Sequence, residues 1–315
     1  MGRCSESAFD CKLARRGFDS LPLHADTESL ANSGRKSIEI VMNRLSTEER
    51  AKVIGCLIEG CSMRSTVRLT GVAKKTVSRL VVEIGEACAD YHDKVMRNLP
   101  CKVLQVDEIW SFTYCKQANI PATLKGEKSI GDTWTWIALD AETKLIPSWH
   151  IGKRDSTDAY WFMNDLSGRL ANRVQLTSDG HKCYLEAVES AFGSEIDYSM
   201  LIKLYGKPLR EMEARYSPPV CIGARKKRII GSPDKSLVST SFVERQNLTL
   251  RMSSRRFTRL TNGFSKKLEN HKHACALYFF HYNFARVHQT LRVTPAMEAG
   301  ISDHVWSVQE IAALL

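Results

Sequence analysis

Three acids in this chain stand where carboxylates can hold divalent metal against a phosphodiester. Asp107 ends a short apolar run with Glu108 beside it, in KVLQVDEIWSF at 102–112; Asp179 ends a second run, VQLTSDG at 174–180; and Glu244 lies near the start of TSFVERQNLTLRMSSRR at 240–256. Asp, Asp and Glu at intervals of 72 and 65 residues follow the order of a two-metal site. Cleaving a phosphodiester requires charge neutralisation on the phosphate, an activated water and a stabilised leaving oxygen, and two divalent ions about 3.5–4 Å apart supply all three. Mg²⁺ takes oxygen ligands and keeps several waters, so a few carboxylates suffice for a pair of ions, with Mn²⁺ as the substitute. Without a cation the arrangement is unfavourable, since two carboxylates about 4 Å apart repel by about 4 kcal/mol at an effective dielectric of 20.

Taken singly, each acid also reads as a turn residue, a cap or a surface charge; Asp179 in Ser-Asp-Gly suits a turn. Glu108 is the rival to Asp107, because neighbours on a strand point to opposite faces. Asp132, Asp140, Asp155 and Asp158 read as turn and cap residues.

The elements that must position these acids follow from periodicity. Val103, Leu104, Val106, Ile109, Trp110 and Phe112 give the β-branched and aromatic content of a strand buried on both faces. Residues 133–139 and 145–151 read as an antiparallel hairpin around Asp140–Lys144, and 155–171 as a helix. A strand at 174–177, a helix at 181–192, a last strand at 198–204 and helices from 240 and from 268 to 287 complete the chain. This is the element order of a ribonuclease H-like mixed sheet flanked by helices, an α/β fold, expected over 100–295 with a C-terminal tail at 296–315.

A small all-α domain is expected before it, at 41–98. Ser46 with Glu49 three residues later forms a capping box, and a short helix at 62–69, a turn at Gly71 and a further helix from Ala73 make a helix-turn-helix pattern. The last helix opens with Lys74, Lys75, Thr76, Ser78 and Arg79, types that meet phosphates and base edges in the major groove; a plain three-helix bundle is the alternative. Residues 1–40 lack periodicity and read as a poorly ordered leader.

With 45 Lys and Arg against 35 Asp and Glu, the 315-residue chain carries a net charge of +10, which favours a polyanionic partner. The charge concentrates at 207–235, a basic, loop-like insertion containing Arg225, Lys226, Lys227 and Arg228, and in the helix after Glu244, with Arg245, Arg251, Arg255, Arg256 and Arg259. Arg251 falls about two turns after Glu244 and so on the same helix face. The chain lacks an apolar run long enough for a transmembrane helix and an apolar signal core, so a cytosolic protein is expected. Its ten cysteines lack zinc-site spacing and read as reduced thiols.

The stretches SMRSTVRLTGVAKKTVSRL, VDEIWSF, LTSDG, SFVERQNLTLRMSSRRFTRLTN and YNFARVHQTLRVTPAMEAG resemble the DDE transposases of bacterial insertion sequences, of the IS-one-like type. The resemblance implies Asp107, Asp179 and Glu244 as the metal-binding triad, Arg251 as the downstream basic residue and the N-terminal motif as a reader of terminal inverted repeats. It implies nicking at the element ends, attack of the freed 3′-hydroxyl on target DNA, a homodimer or larger oligomer on double-stranded DNA, and a place in the bacterial cytosol with the nucleoid. Two other readings share these residues: a catalytically silent DNA-binding repressor or domesticated relative, and a ribonuclease H-like nuclease or resolvase without strand transfer.

Overall fold

The computed structural model describes residues 44–206, 221–258 and 262–315. The expected leader at 1–40, the first part of the basic insertion and Arg259 lie outside them. Helices α1 (Thr47–Ile58), α2 (Met63–Thr70) and α3 (Lys74–Val95) come first. The Ser46–Glu49 capping box opens α1, and Ser62 caps α2. Gly71, at φ 73°, ends α2 in the left-handed region that a side chain resists.

Six strands form one sheet in the order β3-β2-β1-β4-β5-β6: β1 (Val103–Thr113), β2 (Gly131–Asp140), β3 (Trp149–Gly152), β4 (Val174–Ser178), β5 (Ile196–Tyr205) and β6 (Cys221–Ile230). Strands β1, β4 and β5 run parallel, and β2, β3 and β6 pair antiparallel to their neighbours. Helices α4 (Ser156–Ser167) and α5 (Cys183–Phe192) connect the middle strands. Later come α6 (Ser241–Ser253), α7 (Leu268–Phe280), α8 (Pro295–Glu298) and α9 (Val308–Ala312). Among the described residues no helix is long and apolar enough to cross a membrane.

Side chains alternate along β1 and so separate the two faces of the sheet. Gln105, Asp107 and Ser111 reach α6 and α7, through bonds to Phe242 N–H, Asn247 and His271. Glu108 reaches Tyr184 of α5 on the other face. One buried cluster joins Ile109, Ile137 and Leu139 to Val243, Leu250 and Phe279; a larger one joins Leu104, Val106, Trp136 and Leu176 to Phe162 and Tyr184.

Three sequence-based expectations change. The division expected near residues 98–100 is not a break in packing: Val53, Ile54, Val77, Leu80 and Ile84 of α1 and α3 belong to the same buried cluster as the sheet, and the described residues from Leu45 onward form one compact unit. Ile311 and Ala312 of the expected C-terminal tail are buried in that cluster too. The basic insertion is not loop-like over 221–230, which is the edge strand β6. Its alternation is invisible in the sequence because an edge strand with two exposed faces needs only backbone pairing, and charged side chains there block further strands from adding.

Helix α3 crosses α7 at Gly85, where an added Cβ would lie 2.4 Å from the His273 Cβ and 2.5 Å from its carbonyl oxygen. Gly85→Ala should therefore destabilise by about 1–3 kcal/mol through overpacking, whereas Gly55→Ala in α1, with nothing within 4 Å, should stabilise by about 0.5–1 kcal/mol. Urea denaturation of the two variants checks both signs.

Candidate active site

The register of β1 against β4 places two of the three acids. Gln105 pairs with Thr177 in parallel, so two residues further on Asp107 comes level with Asp179, just past the end of β4. A step of two along β1 keeps Asp107 on the face of Gln105, which α6 covers. The Asp107 carboxylate accepts from the Glu108 N–H at 2.9 Å and from Asn247 Nδ2 at 2.8 Å. Asp179 accepts from the His181 N–H at 2.8 Å, which fixes it in the turn leading to α5.

Helix α6 is docked over these acids by its own first turn. The Gln105 side-chain oxygen accepts from the N–H groups of Phe242 and Val243, at 2.9 and 3.1 Å. These are amides that a helix cannot satisfy internally. Glu244, Asn247 and Arg251 then follow at helical spacing, with Asn247 on Asp107. Glu244 accepts from Lys203 Nζ and from Thr240 Oγ1, both at 2.5 Å.

Among the described residues, Asp107, Glu108 and Asp179 form an acidic group, each offering an oxygen within 4.8 Å of the others. Glu108 comes from the opposite face of β1. It is bound to Arg154 at 2.6 Å and to the Tyr184 hydroxyl at 2.9 Å, and Arg154 also lies 4.0 Å from Asp179. Glu244 is outside that trio but close enough that its charge acts on Asp107. Burial first, then Glu108, Asp179 and Glu244, push the Asp107 carboxyl up to about 7. Burial and Asp179 also raise Glu108, against the pull of Arg154. The Glu244 carboxylate keeps the Lys203 ammonium above its ordinary range in spite of burial.

Such a donor set fits a divalent cation. Its oxygens are acceptors only when ionised, they converge, and they are held in a place that penalises their charge.

Of the four acids expected in turns and caps, Asp140 is in a turn and Asp155 caps a helix, whereas Asp132 lies in β2 and Asp158 inside α4. Asp132 accepts from the Gln117 N–H, Asp140 from Thr143, Asp155 caps α4, and Asp158 binds His150 and the Lys153 N–H.

The basic residues singled out in the sequence do not gather in one place. Lys74, Lys75 and Arg79 are exposed at the start of α3, with Arg79 3.4 Å from Glu83. Thr76 and Ser78 are half-buried, and Ser78 faces Asn270 of α7 at 3.5 Å instead of projecting outward. Arg225, Lys226, Lys227 and Arg228 are all exposed on β6, but alternation divides them. Ala224 pairs across from Lys203, Lys226 from Leu201 and Arg228 from Ser199, which puts Lys226 and Arg228 on the Lys203 face and Arg225 and Lys227 on the other. Arg255 is exposed just beyond α6, and Arg251 is half-buried in its last turn.

Arg154, Tyr184, Lys203 and Asn247 belong to the site and were not singled out. Asn247 had a signal, three residues after Glu244 within ERQN; the others come from distant elements and carried none.

The chain matches no family model and no curated protein. Among solved structures it is similar to a piggyBac transposase synaptic complex with hairpin DNA, at 11% identity and a TM-score of 0.38, over 86% of this chain and 70% of that one. It is also similar to a Mos1 transposase paired-end complex with the left transposon end, at 12% identity and a TM-score of 0.21, over 49% and 59%. Both superpositions are loose.

An acid whose carboxyl rises from 3.8 to about 7 on folding binds its proton more tightly in the folded chain, so the metal-free protein loses stability as pH rises through that window. Asp107→Asn removes this loss. At pH 8 without metal it should exceed the wild type by at least about 1.4 kcal/mol, the worth of one pKa unit. Thermal melts should also show millimolar Mn²⁺ stabilising the wild type and not the variant.

Proposed function

We propose that this chain is a DNA transposase of the DDE kind, cutting and rejoining DNA at the ends of a mobile element. Asp107, Asp179 and Glu244 are its metal-holding triad, and Mg²⁺ is its ion. The observation that supports the reading is the convergence of Asp107 and Asp179, with carboxylate oxygens within 4.8 Å of each other, and the bond from Asp107 to Asn247 of the helix that bears Glu244. Two divalent ions bound there would neutralise the phosphate, activate the attacking water or 3′-hydroxyl and stabilise the leaving oxygen.

The chain's own residues do the rest. The Glu108 N–H and Asn247 aim the Asp107 oxygens, and the His181 N–H aims Asp179. Lys203 and Thr240 hold Glu244 ready in the absence of metal. Lys74 and Lys75 at the exposed start of α3, with Arg79 one turn on, are the groups for reading element-end DNA, acting through phosphates and guanine edges. Lys226 and Arg228 extend the positive surface along the sheet face that carries Lys203, with Arg251 and Arg255 contributing from α6 and just beyond. Double-stranded DNA, as element end and as target, is the partner, and a homodimer or larger assembly would bring two ends together.

Asp107→Ala, Asp179→Ala and Glu244→Ala should each abolish Mg²⁺-dependent nicking of a supercoiled plasmid carrying the gene with its flanking DNA. Filter binding should show DNA affinity unchanged within about threefold, because phosphate and base contacts lie elsewhere. Full nicking by any one variant would remove that residue from the triad, and wild-type protein that binds the plasmid without cutting it would leave a silent DNA-binding protein.

The division of β6 makes a second expectation. Neutralising Lys226 and Arg228 together should flatten the slope of log affinity against log salt by up to about 1.8, at about 0.9 per phosphate contact. Neutralising Arg225 and Lys227 should change it less. Equal effects from the two pairs would show that β6 does not meet DNA with one face.

A further inference from the structure

One member of the acidic trio is occupied in a way the others are not. The Glu108 side chain is 1% exposed. Its Oε1 accepts from Arg154 Nε at 2.6 Å and its Oε2 from the Tyr184 hydroxyl at 2.9 Å. Tyr184 is fully buried, edge-on to Trp136 at 5.4 Å. Turning Glu108 onto a metal would strip that hydroxyl of its acceptor, at the desolvation penalty of an unpaired buried donor. Glu244 is held less completely: it also accepts from the buried Thr240 hydroxyl, but 38% of its side chain is open to solvent and its other donor, Lys203, is a flexible ammonium that can return to water when a metal takes the carboxylate.

Arg154 is held on three sides. One edge of its guanidinium meets Glu108, its flat face lies over the Trp134 ring at 4.8 Å from the centroid, and Nη2 lies 4.0 Å from Asp179. Yet 41% of the side chain is open to solvent. Guanidinium has five donors, remains charged at any working pH and matches the spacing of phosphate oxygens. A cation fixed by a buried acid and an aromatic plate, with donors left over beside a metal-binding aspartate, is built to grip an anion.

We propose that Glu108 is a positioning residue and not a metal ligand, and that with Tyr184 and Trp134 it holds Arg154 as the cation that grips a non-bridging oxygen of the phosphodiester bound at Asp107 and Asp179. This rests on the reading of that site as one that cuts DNA. It separates two adjacent acids by role: Asp107 faces α6 and serves metal, while Glu108 faces α5 and serves the arginine that meets the substrate.

The test uses the full-length chain. Mn²⁺ alone is titrated calorimetrically into the wild type, Glu108→Gln, Arg154→Ala and Asp107→Asn, and nicking is followed on the supercoiled plasmid carrying the gene and its flanking DNA. Glu108→Gln and Arg154→Ala should bind Mn²⁺ within about twofold of the wild type, as non-ligands, while Asp107→Asn should not bind it. Arg154→Ala should lower the rate at saturating DNA by about 10²- to 10³-fold, the range for losing one donor to a developing oxyanion; its melting temperature should fall, because Glu108 is left buried without its cation, so rates are compared well below the melting temperature of the variant. Arg154→Lys should restore part of that rate. Glu108→Gln should slow nicking in the wild-type background and not in Arg154→Ala, since it acts through the arginine.

Loss of Mn²⁺ binding in Glu108→Gln would make Glu108 a ligand and overturn the proposal, as would wild-type nicking by Arg154→Ala. Wild-type protein that binds Mn²⁺ but cuts nothing would sink the transposase reading and the role given to Arg154 together, while the Mn²⁺ comparison would still decide whether Glu108 is a ligand. A wild type that binds no Mn²⁺ would remove the metal site itself.

Discussion

The parallel pairing of β1 with β4 is the constraint on which the site depends. Gln105 opposite Thr177 sets the level at which the pairing ends, and Asp107, two residues on in β1, comes close to Asp179 in the turn just past β4. A slip of one residue would turn Asp107 toward α5 and Glu108 toward α6, exchanging the roles of the two acids. The register is protected from the apolar side: Leu104 and Leu176 are buried in the same cluster, so a slip would also turn core side chains out of it.

That pairing brings negative charge together in a place where water is scarce. The fold answers with two cations on opposite faces of the sheet, Arg154 against Glu108 and Lys203 against Glu244. Asp107, between them, accepts from the neutral donors of a backbone amide and Asn247, and burial, with the charges of Glu108, Asp179 and Glu244, pushes its carboxyl up to about 7. Charge is thus least compensated where a metal would add most.

Much of this was legible in the sequence because it obeys local rules. The apolar run before Asp107, the Ser-Asp-Gly turn at Asp179 and the helix pattern around Glu244 each specify their element within about ten residues. The hairpin, the first three helices, the turn role of Asp140 and the cap role of Asp155 could be read the same way. What could not be read depends on contacts between distant elements. Lys203 sits in an ordinary strand until α6 packs above it, and Tyr184 is an ordinary helix aromatic until its hydroxyl finds Glu108, 76 residues away. The edge strand β6 hid behind its charges, because alternation shows only when one face is apolar. The continuity of α1 and α3 with the sheet hid for a related reason, since a buried helix face looks the same whether it covers a small bundle or a larger neighbour.

That continuity sets a geometry for work on DNA. With Gly85 letting α3 lie directly against α7, and α7 resting on the same sheet that carries Asp107, no hinge separates the exposed start of α3 from the acids. Under the proposed function the protein would be a ruler: the number of base pairs between a sequence read by α3 and the bond cut at Asp107 would be fixed by the fold, and adjusting that interval would fall to bending of the DNA or to a second copy of the chain.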